Sequence, residues 1–309
     1  MKSPATRSRV ENRHGSPRLS PPPRLGHLPC ILSPVSCILF SMDFRSHTTL
    51  GRTGLSVSRL GIAASYGVPA AAMERAFHQY GVNVFYWGSR RKEGMRDALV
   101  RLKGTHRDRL VIAFQSYDKS GLVMRRFHEQ GLRTLGIDCA DLLILGWMMR
   151  GAPRGRMLDT ALRLKEEGKV RHLAASSHNR PLLGRMVADG RLPIDVYMLR
   201  YNAAHRGAER DIFPRIPEKA PPGIMAYTAT RWGQLLDPGR MPPGEEALTA
   251  ADCYRFALTD LRVDLVMTGP RTAEELEENL RTLELGPLTD GEMERVRRIG
   301  DHVYGKGRR

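Results

Sequence analysis

Residues 83–91, Asn-Val-Phe-Tyr-Trp-Gly-Ser-Arg-Arg, begin as an apolar run and end in groups capable of chemistry. The phenol of Tyr86 is followed by two guanidinium groups, Arg90 and Arg91. A phenol can give a proton to a carbonyl oxygen, and a guanidinium within about 4–6 Å would favour phenolate and sharpen that acidity. Arg cannot release a proton near neutrality, so Arg91 can polarise a carbonyl but cannot be the acid. No carboxylate base lies in the stretch. The competing reading is packing, since strand-end aromatics commonly do no more than fill space.

A second constellation runs from Gly269-Pro270-Arg271-Thr272 into Glu274, Glu275, Glu278 and Asn279. Thr272 with Glu275 forms a capping box, which opens a helix in any protein. A helix N-terminus that follows a strand also suits phosphate, and Arg271 suits an exposed one. The acidic first turn satisfies the helix dipole but opposes an additional phosphate. Ser176-Ser177-His178-Asn179 could suggest a Ser–His nucleophile, yet adjacent residues at one strand end rarely face each other. No Gly-x-Ser-x-Gly elbow supports it either. His178 therefore reads as a loop residue, and His205 and Arg206 as solvated loop groups. No His, Cys, Asp or Glu cluster has metal-ligand spacing, so no metal is expected.

Eight short apolar runs must position these groups: Arg59–Ala64, Asn83–Trp87, Leu110–Gln115, Asp141–Gly146, Val170–Ala175, Asp195–Leu199, Gly223–Thr228 and Val263–Thr268. They show little polar alternation, as strands buried on both faces do in a parallel sheet. Helical stretches separate them. Met157–Glu167 stops at Gly168, and Thr272 and Thr289 each open a helix. Eight βα units closed on themselves predict an α/β fold, the TIM barrel. A β-hairpin over Thr48–Ser58, turning through Gly51-Arg-Thr-Gly54, stands outside the repeat. An open doubly wound sheet fits less well, because no Gly-x-Gly-x-x-Gly follows a strand.

The chain has 309 residues and a formal charge of +16. Part of the excess sits in the first 41 residues, where Lys2, Arg7, Arg9, Arg13, Arg18 and Arg24 face only Glu11. The rest is scattered, and no recognition module or basic-aromatic strand pattern accompanies it. Nucleic acid is therefore not an expected partner. The apolar part of the tail, Leu28–Phe40, is interrupted by Pro34 and two Cys, so neither a secretory signal nor a membrane span is expected. Four Cys without metal spacing fit a reduced, cytoplasmic protein. Residues 1–41 read as a disordered or misassigned N-terminal extension, and 42–309 as the barrel.

Within that framework several segments resemble the aldo/keto reductase family. Leu50-Gly-Arg-Thr-Gly-Leu-Ser-Val-Ser-Arg-Leu-Gly61 looks like that family's N-terminal hairpin running into the first barrel strand. Glu167-Gly-Lys-Val-Arg171 resembles the approach to the fifth strand, and Tyr201-Asn202 the pair after the sixth. Gly223-Ile-Met-Ala-Tyr227 is similar to the seventh, ending in the Tyr that stacks on nicotinamide. The stretch Gly269–Asn279 looks like the segment holding the adenosine phosphate end. Ser176 matches one member of the pair that holds the carboxamide, with Ser177 and Met198 replacing its companions.

The resemblance implies a tetrad of Asp, Tyr, Lys and His, and here all four positions differ. They fall on Tyr86, Arg91, Gln115 and Gly146, with Trp147 or Trp87 expected to fill the space beside that glycine. What remains is an NADP(H)-dependent oxidoreductase for a small carbonyl or alcohol, with a non-standard proton donor. Tyr86 would be the acid, assisted by Arg90 or Arg91. Ser176, Tyr227, Gly269, Arg271, Glu278 and Asn279 would bind NADP. One alternative is a catalytically inactive barrel that binds nucleotide or ligand as a sensor or scaffold. Another keeps the mouth but grips an anionic substrate through Arg90 and Arg91. The sequence is silent on oligomeric state.

Overall fold

The computed structural model describes residues 43–306, except Ser89, Arg90, Lys119, Trp147, Met149 and Arg150, and gives Ser65 by its backbone alone. The proposed extension over 1–41 lies outside the described residues. Each of the eight runs overlaps a strand, the ends differing by up to two residues. After a short antiparallel pair, β1 (Thr48–Thr49) and β2 (Ser56–Val57), come β3 (Leu60–Ala63), β4 (Val84–Trp87), β5 (Val111–Ser116) and β6 (Ala140–Leu145). They continue with β7 (Val170–Ser177), β8 (Val196–Arg200), β9 (Gly223–Tyr227) and β10 (Leu265–Thr268). These eight close into a parallel barrel in chain order, with β10 against β3. The fold is a TIM barrel with an N-terminal hairpin.

Strand alternation splits the apolar residues into two cores. Val84, Ala113, Leu142, Ile144, Val196 and Met225 fill the barrel interior. Their neighbours Phe85, Phe114, Leu143, Leu145, Tyr197 and Ile224 pack outward against the helices. Those helices are α1 (Ala70–Tyr80), α2 (Glu93–His106), α3 (Gly121–Leu135), α4 (Gly155–Glu166) and α5 (Arg180–Ala188). A single turn, α6 (Ala208–Asp211), precedes α7 (Ala250–Thr259), α8 (Ala273–Leu285) and α9 (Asp290–Lys306). The hairpin plugs the N-terminal end: Leu50 and Val57 join the inner core. Gly51 (φ 44°) presses so closely on Gly223 that a β-carbon would lie 2.1 Å from its amide nitrogen.

At the same end, alternate strands are stapled to the strand before them. Asn83 Oδ1 accepts from the Ser58 amide at 2.8 Å, and Asp141 Oδ2 from Ile112 at 2.8 Å. Asp195 Oδ2 accepts from Leu173 at 3.2 Å, and Asp264 Oδ2 from Ile224 at 2.8 Å. Each side chain takes a backbone donor that the staggered barrel leaves without a strand partner. Asp141 is fully buried, and Arg107 and Arg171 flank it at 3.1 and 3.0 Å. Burial pushes its carboxyl up, while Arg107, the Ile112 amide and Arg171 pull it down. Asp141→Ala would leave a buried amide without its acceptor, and Arg107 and Arg171 without their carboxylate. It should cost about 1–3 kcal/mol in denaturant unfolding. A loss under about 1 kcal/mol would show that the stagger is set elsewhere.

Candidate active site

The C-terminal strand ends enclose a cavity of about 820 Å³. Tyr86, Ser176, Tyr227, Gly269, Arg271, Glu278 and Asn279 all line it. Arg91 does not. It is exposed, takes φ 45°, and lies beyond Gly67. Arg90 lies outside the described residues. The expected acidifying guanidinium beside Tyr86 is thus not found among the described residues, and the phenol shifts the opposite way. Burial, then the phenols of Tyr117, Tyr66 and Tyr227, hold its pKa well above the usual range. Desolvation without a compensating cation disfavours phenolate.

Tyr86 faces inward from β4 and is 9% exposed. Its hydroxyl donates a short hydrogen bond to Gln115 Oε1. Gln115 Nε2 donates in turn to Ser176 Oγ at 3.2 Å. The Tyr117 hydroxyl stands 3.3 Å from that of Tyr86. Gly146 leaves no void beside this chain. A β-carbon there would lie 2.5 Å from Gln115 Nε2 and 2.8 Å from the Tyr117 ring. Trp87, expected as one filler, instead joins the outer core, with Lys92 over its ring at 4.8 Å. Trp147 lies outside the described residues.

His178 is a site residue that the sequence reading placed in a plain loop. It lines the cavity, and its Nδ1 is 3.2 Å from the Tyr227 hydroxyl. Burial and the charge of Arg200 keep its pKa below the usual value. Neither serine bonds it: Ser176 serves Gln115, and Ser177 Oγ donates to the Met148 carbonyl at 2.6 Å. Burial also pushes Tyr227 up, to about 12, against the opposing pull of Arg200. The aromatic wall formed by Tyr66, Tyr117, Trp232 and Tyr254 escaped sequence reasoning as well. These residues lie in loops or on a helix, outside any strand alternation.

The loop after β9 is strained, with Thr228, Arg231 and Trp232 at φ 57°, 52° and 53°. Asn202 Nδ2 holds the Thr228 carbonyl at 2.8 Å, and Arg231 donates to Val303 O at 2.6 Å near the end of α9. His205 and Arg206 are structural rather than solvated. His205 packs edge-on against Tyr304 (centroids 5.4 Å), and Arg206 bonds the Ala203 carbonyl at 2.8 Å and Asp301 at 2.7 Å. Beyond β10, Gly269 is required because a β-carbon would lie 2.4 Å from the Tyr66 ring. Thr272 caps α8 by accepting the Glu275 amide at 3.2 Å, and the Glu275 carboxylate takes the Arg271 amide at 2.7 Å.

A closed barrel whose C-terminal mouth holds the polar groups and the cavity is the plan of TIM-barrel enzymes. The aldo/keto reductase family model matches residues 69–242, and the chain belongs to that family. An aldo-keto reductase from Bacillus halodurans, AKR11C1, has been solved in apo and holo forms. Both match with TM-score 0.67 and 19% identity, covering 82% of this chain and 95% and 96% of theirs. At that identity the likeness speaks for the fold. A search of curated proteins finds no match. No helix among the described residues is long and apolar enough to cross a membrane.

Burial, then Arg200, Arg231 and Arg180, lower the His205 pKa to about 4. Its folded-state pKa lies below the unfolded value, so protonation favours unfolding. The stabilisation is intact above about pH 6.5 and is lost as pH falls toward 4. Melting curves should show His205→Gln losing less stability than the native chain across that window. Parallel curves would assign the acid sensitivity to other groups.

Proposed function

We propose that this chain is a cytoplasmic NAD(P)H-dependent oxidoreductase for small carbonyl compounds, with Tyr86 as its proton donor. The observation carrying this reading is one continuous cavity. It joins the Tyr86–Gln115–Ser176 network and Tyr227 to the segment from Gly269 to Asn279. The residues present fit a nucleotide. Asn279 is 5% exposed and lines the cavity, so its carboxamide faces the space a ligand would fill. A carboxamide there can both donate to and accept from a nucleotide. Ser176 and Tyr227 would hold the nicotinamide end, and Gly269, Arg271, Glu278 and Asn279 the adenosine end. When bound, the nicotinamide supplies the hydride.

The chain's own groups handle the proton. The raised pKa keeps Tyr86 fully protonated, a hydrogen-bond donor at any physiological pH. Gln115 fixes the phenol's orientation but cannot accept its proton. Donation to a substrate therefore requires the O–H to turn from the neutral amide toward the developing alkoxide, a far stronger acceptor. Tyr117, 52% exposed and 3.3 Å away, connects the buried phenol to solvent for reprotonation.

A second reading, a nucleotide-binding scaffold, is favoured by the same network: the only proton Tyr86 can give is already engaged by Gln115. Nucleotide fluorescence and a carbonyl panel separate the two. Turnover that falls about 10²–10⁴-fold in Tyr86→Phe supports the oxidoreductase. An unchanged rate removes Tyr86 from the role, and binding without turnover supports the scaffold. No binding of NADH or NADPH up to about 1 mM sinks both readings. The reduction rate should also show no loss from deprotonation of the acid below about pH 10, since Tyr86 lies above the ordinary phenol value.

The adenosine end bears on nucleotide choice. Glu274, Glu275 and Glu278 line it, with Arg271 the cation among them. The Glu275 carboxylate already occupies the first turn of α8, where a 2′-phosphate would otherwise find support. Glu275→Gln keeps the hydrogen bond and removes the charge. It should raise the NADPH-to-NADH affinity ratio about two- to fivefold in direct titration. An unmoved ratio would mean that the phosphate lies elsewhere.

A further inference from the structure

Arg200 is the last residue of β8. Val196 and Met198 on this strand belong to the inner core, while Tyr197 and Leu199 belong to the outer one. The same alternation puts Arg200 on the inward register, paired across the ladder with Tyr227. Toward the mouth, the inward positions Tyr86, Gln115, Ser176, Met198, Tyr227 and Met267 carry no charge. Among the described residues, Arg200 supplies the charge on these faces.

No acid balances it. Arg200 has no hydrogen bond or ion pair among the described residues, and the groups that act on it are Tyr227, Arg180 and Tyr304. The nearby cations are otherwise engaged: Arg180 bonds Asp211 at 3.2 Å, and Arg231 the Val303 carbonyl. His178 and His205 both feel the positive field of Arg200 on top of their burial. A half-buried guanidinium stays charged, and leaving it unpaired is costly. Its planar fork matches a carboxylate with two parallel hydrogen bonds.

Arg200 does not itself line the cavity but stands on the inward register beside Met198 and Tyr227, which do. We infer that Arg200 is an anion receptor at the edge of the active-site mouth, and that the substrate carries a carboxylate as well as its reacting carbonyl. The substrate half of this inference rests on the oxidoreductase reading above. A nucleotide phosphate offers similar chemistry. The carboxylate is favoured because Arg200 stands beside His178 and Tyr227, whereas the adenosine-side residues follow β10.

The test compares 4-carboxybenzaldehyde with 4-methylbenzaldehyde on the full-length protein. The native chain should favour the carboxylate in kcat/KM, and Arg200→Met should cut that preference about ten- to hundredfold. Arg200→Lys, which keeps charge but loses the fork, should fall between. A binding arm needs no turnover: isothermal titration with 4-(hydroxymethyl)benzoate and with 4-methylbenzyl alcohol. Tighter carboxylate binding that Arg200→Met abolishes supports the receptor even where no aldehyde is reduced, which would then count against the oxidoreductase reading alone. Equal binding of anion and neutral analogue overturns the inference, as does an Arg200→Met protein that matches the native one. Loss of NADH and NADPH binding with carboxylate binding intact assigns the guanidinium to the nucleotide and overturns the substrate claim. Circular dichroism melting checks each variant. If the Met variant does not fold, the Lys variant decides: weakened carboxylate selectivity supports the inference, and undiminished selectivity overturns it.

Discussion

The stagger of the barrel strands is the constraint on which the active-site mouth depends. Side chains on a strand alternate with a period of two, so a slip of one residue would turn every inward group outward. Asn83, Asp141, Asp195 and Asp264 oppose such a slip by accepting a backbone amide from the preceding strand. They act at the N-terminal end of the barrel, far from the chemistry. Their effect appears at the other end, where Tyr86, Gln115, Ser176 and Tyr227 converge on one cavity. The hairpin adds to this by burying Leu50 and Val57 in the inner core, so the barrel has no open end below the site.

The substitutions in the mouth form one repacked unit. Gln115 reaches from Tyr86 to Ser176, and the absence of a side chain at Gly146 leaves room for both Gln115 and the Tyr117 ring. A larger side chain at 146 would displace those groups, and a Lys at 115 would break the hydrogen-bond chain. Neutral amide and hydroxyl groups surround Tyr86, and its pKa moves up accordingly, because burial acts with no cation among the described residues to oppose it. Any proton chemistry here relies on a weak acid fixed in position, with orientation supplying what acidity does not.

Much of this was legible in the sequence, for physical reasons. Strands buried on both faces stand out as apolar runs, and capping residues such as Thr272 mark helix starts through hydrogen bonds local to the chain. Tyr86 and Tyr227 could be placed because each lies at or next to the end of a strand whose alternation is regular. Arg91 could not be. It lies four residues beyond the end of β4, and its backbone turns through φ 45° to leave it exposed. Nothing local in the sequence marks His178, because its partner, Tyr227, is 49 residues away. Arg200 carried a usable signal: it lies two residues beyond Met198 on the same alternation.

The charges on the cavity wall and just behind it differ in sign. Glu274, Glu275 and Glu278 outnumber Arg271 on the β10 side. On the β8 side, Arg200, Arg180 and Arg231 together bear on the neighbouring His205. A slot with low-dielectric walls and opposed charges at its ends orients whatever enters it. An anionic group is drawn to the β8 side and repelled from the acidic one, so a molecule with one carboxylate enters in a single direction. The same field lowers the pKa of His178 in the cavity wall and of His205 behind it. With a fixed guanidinium nearby, protonating either would place like charges together in partly buried surroundings. Arg200 thus sets the polarity of the mouth, while the neutral groups around it supply shape and hydrogen bonds.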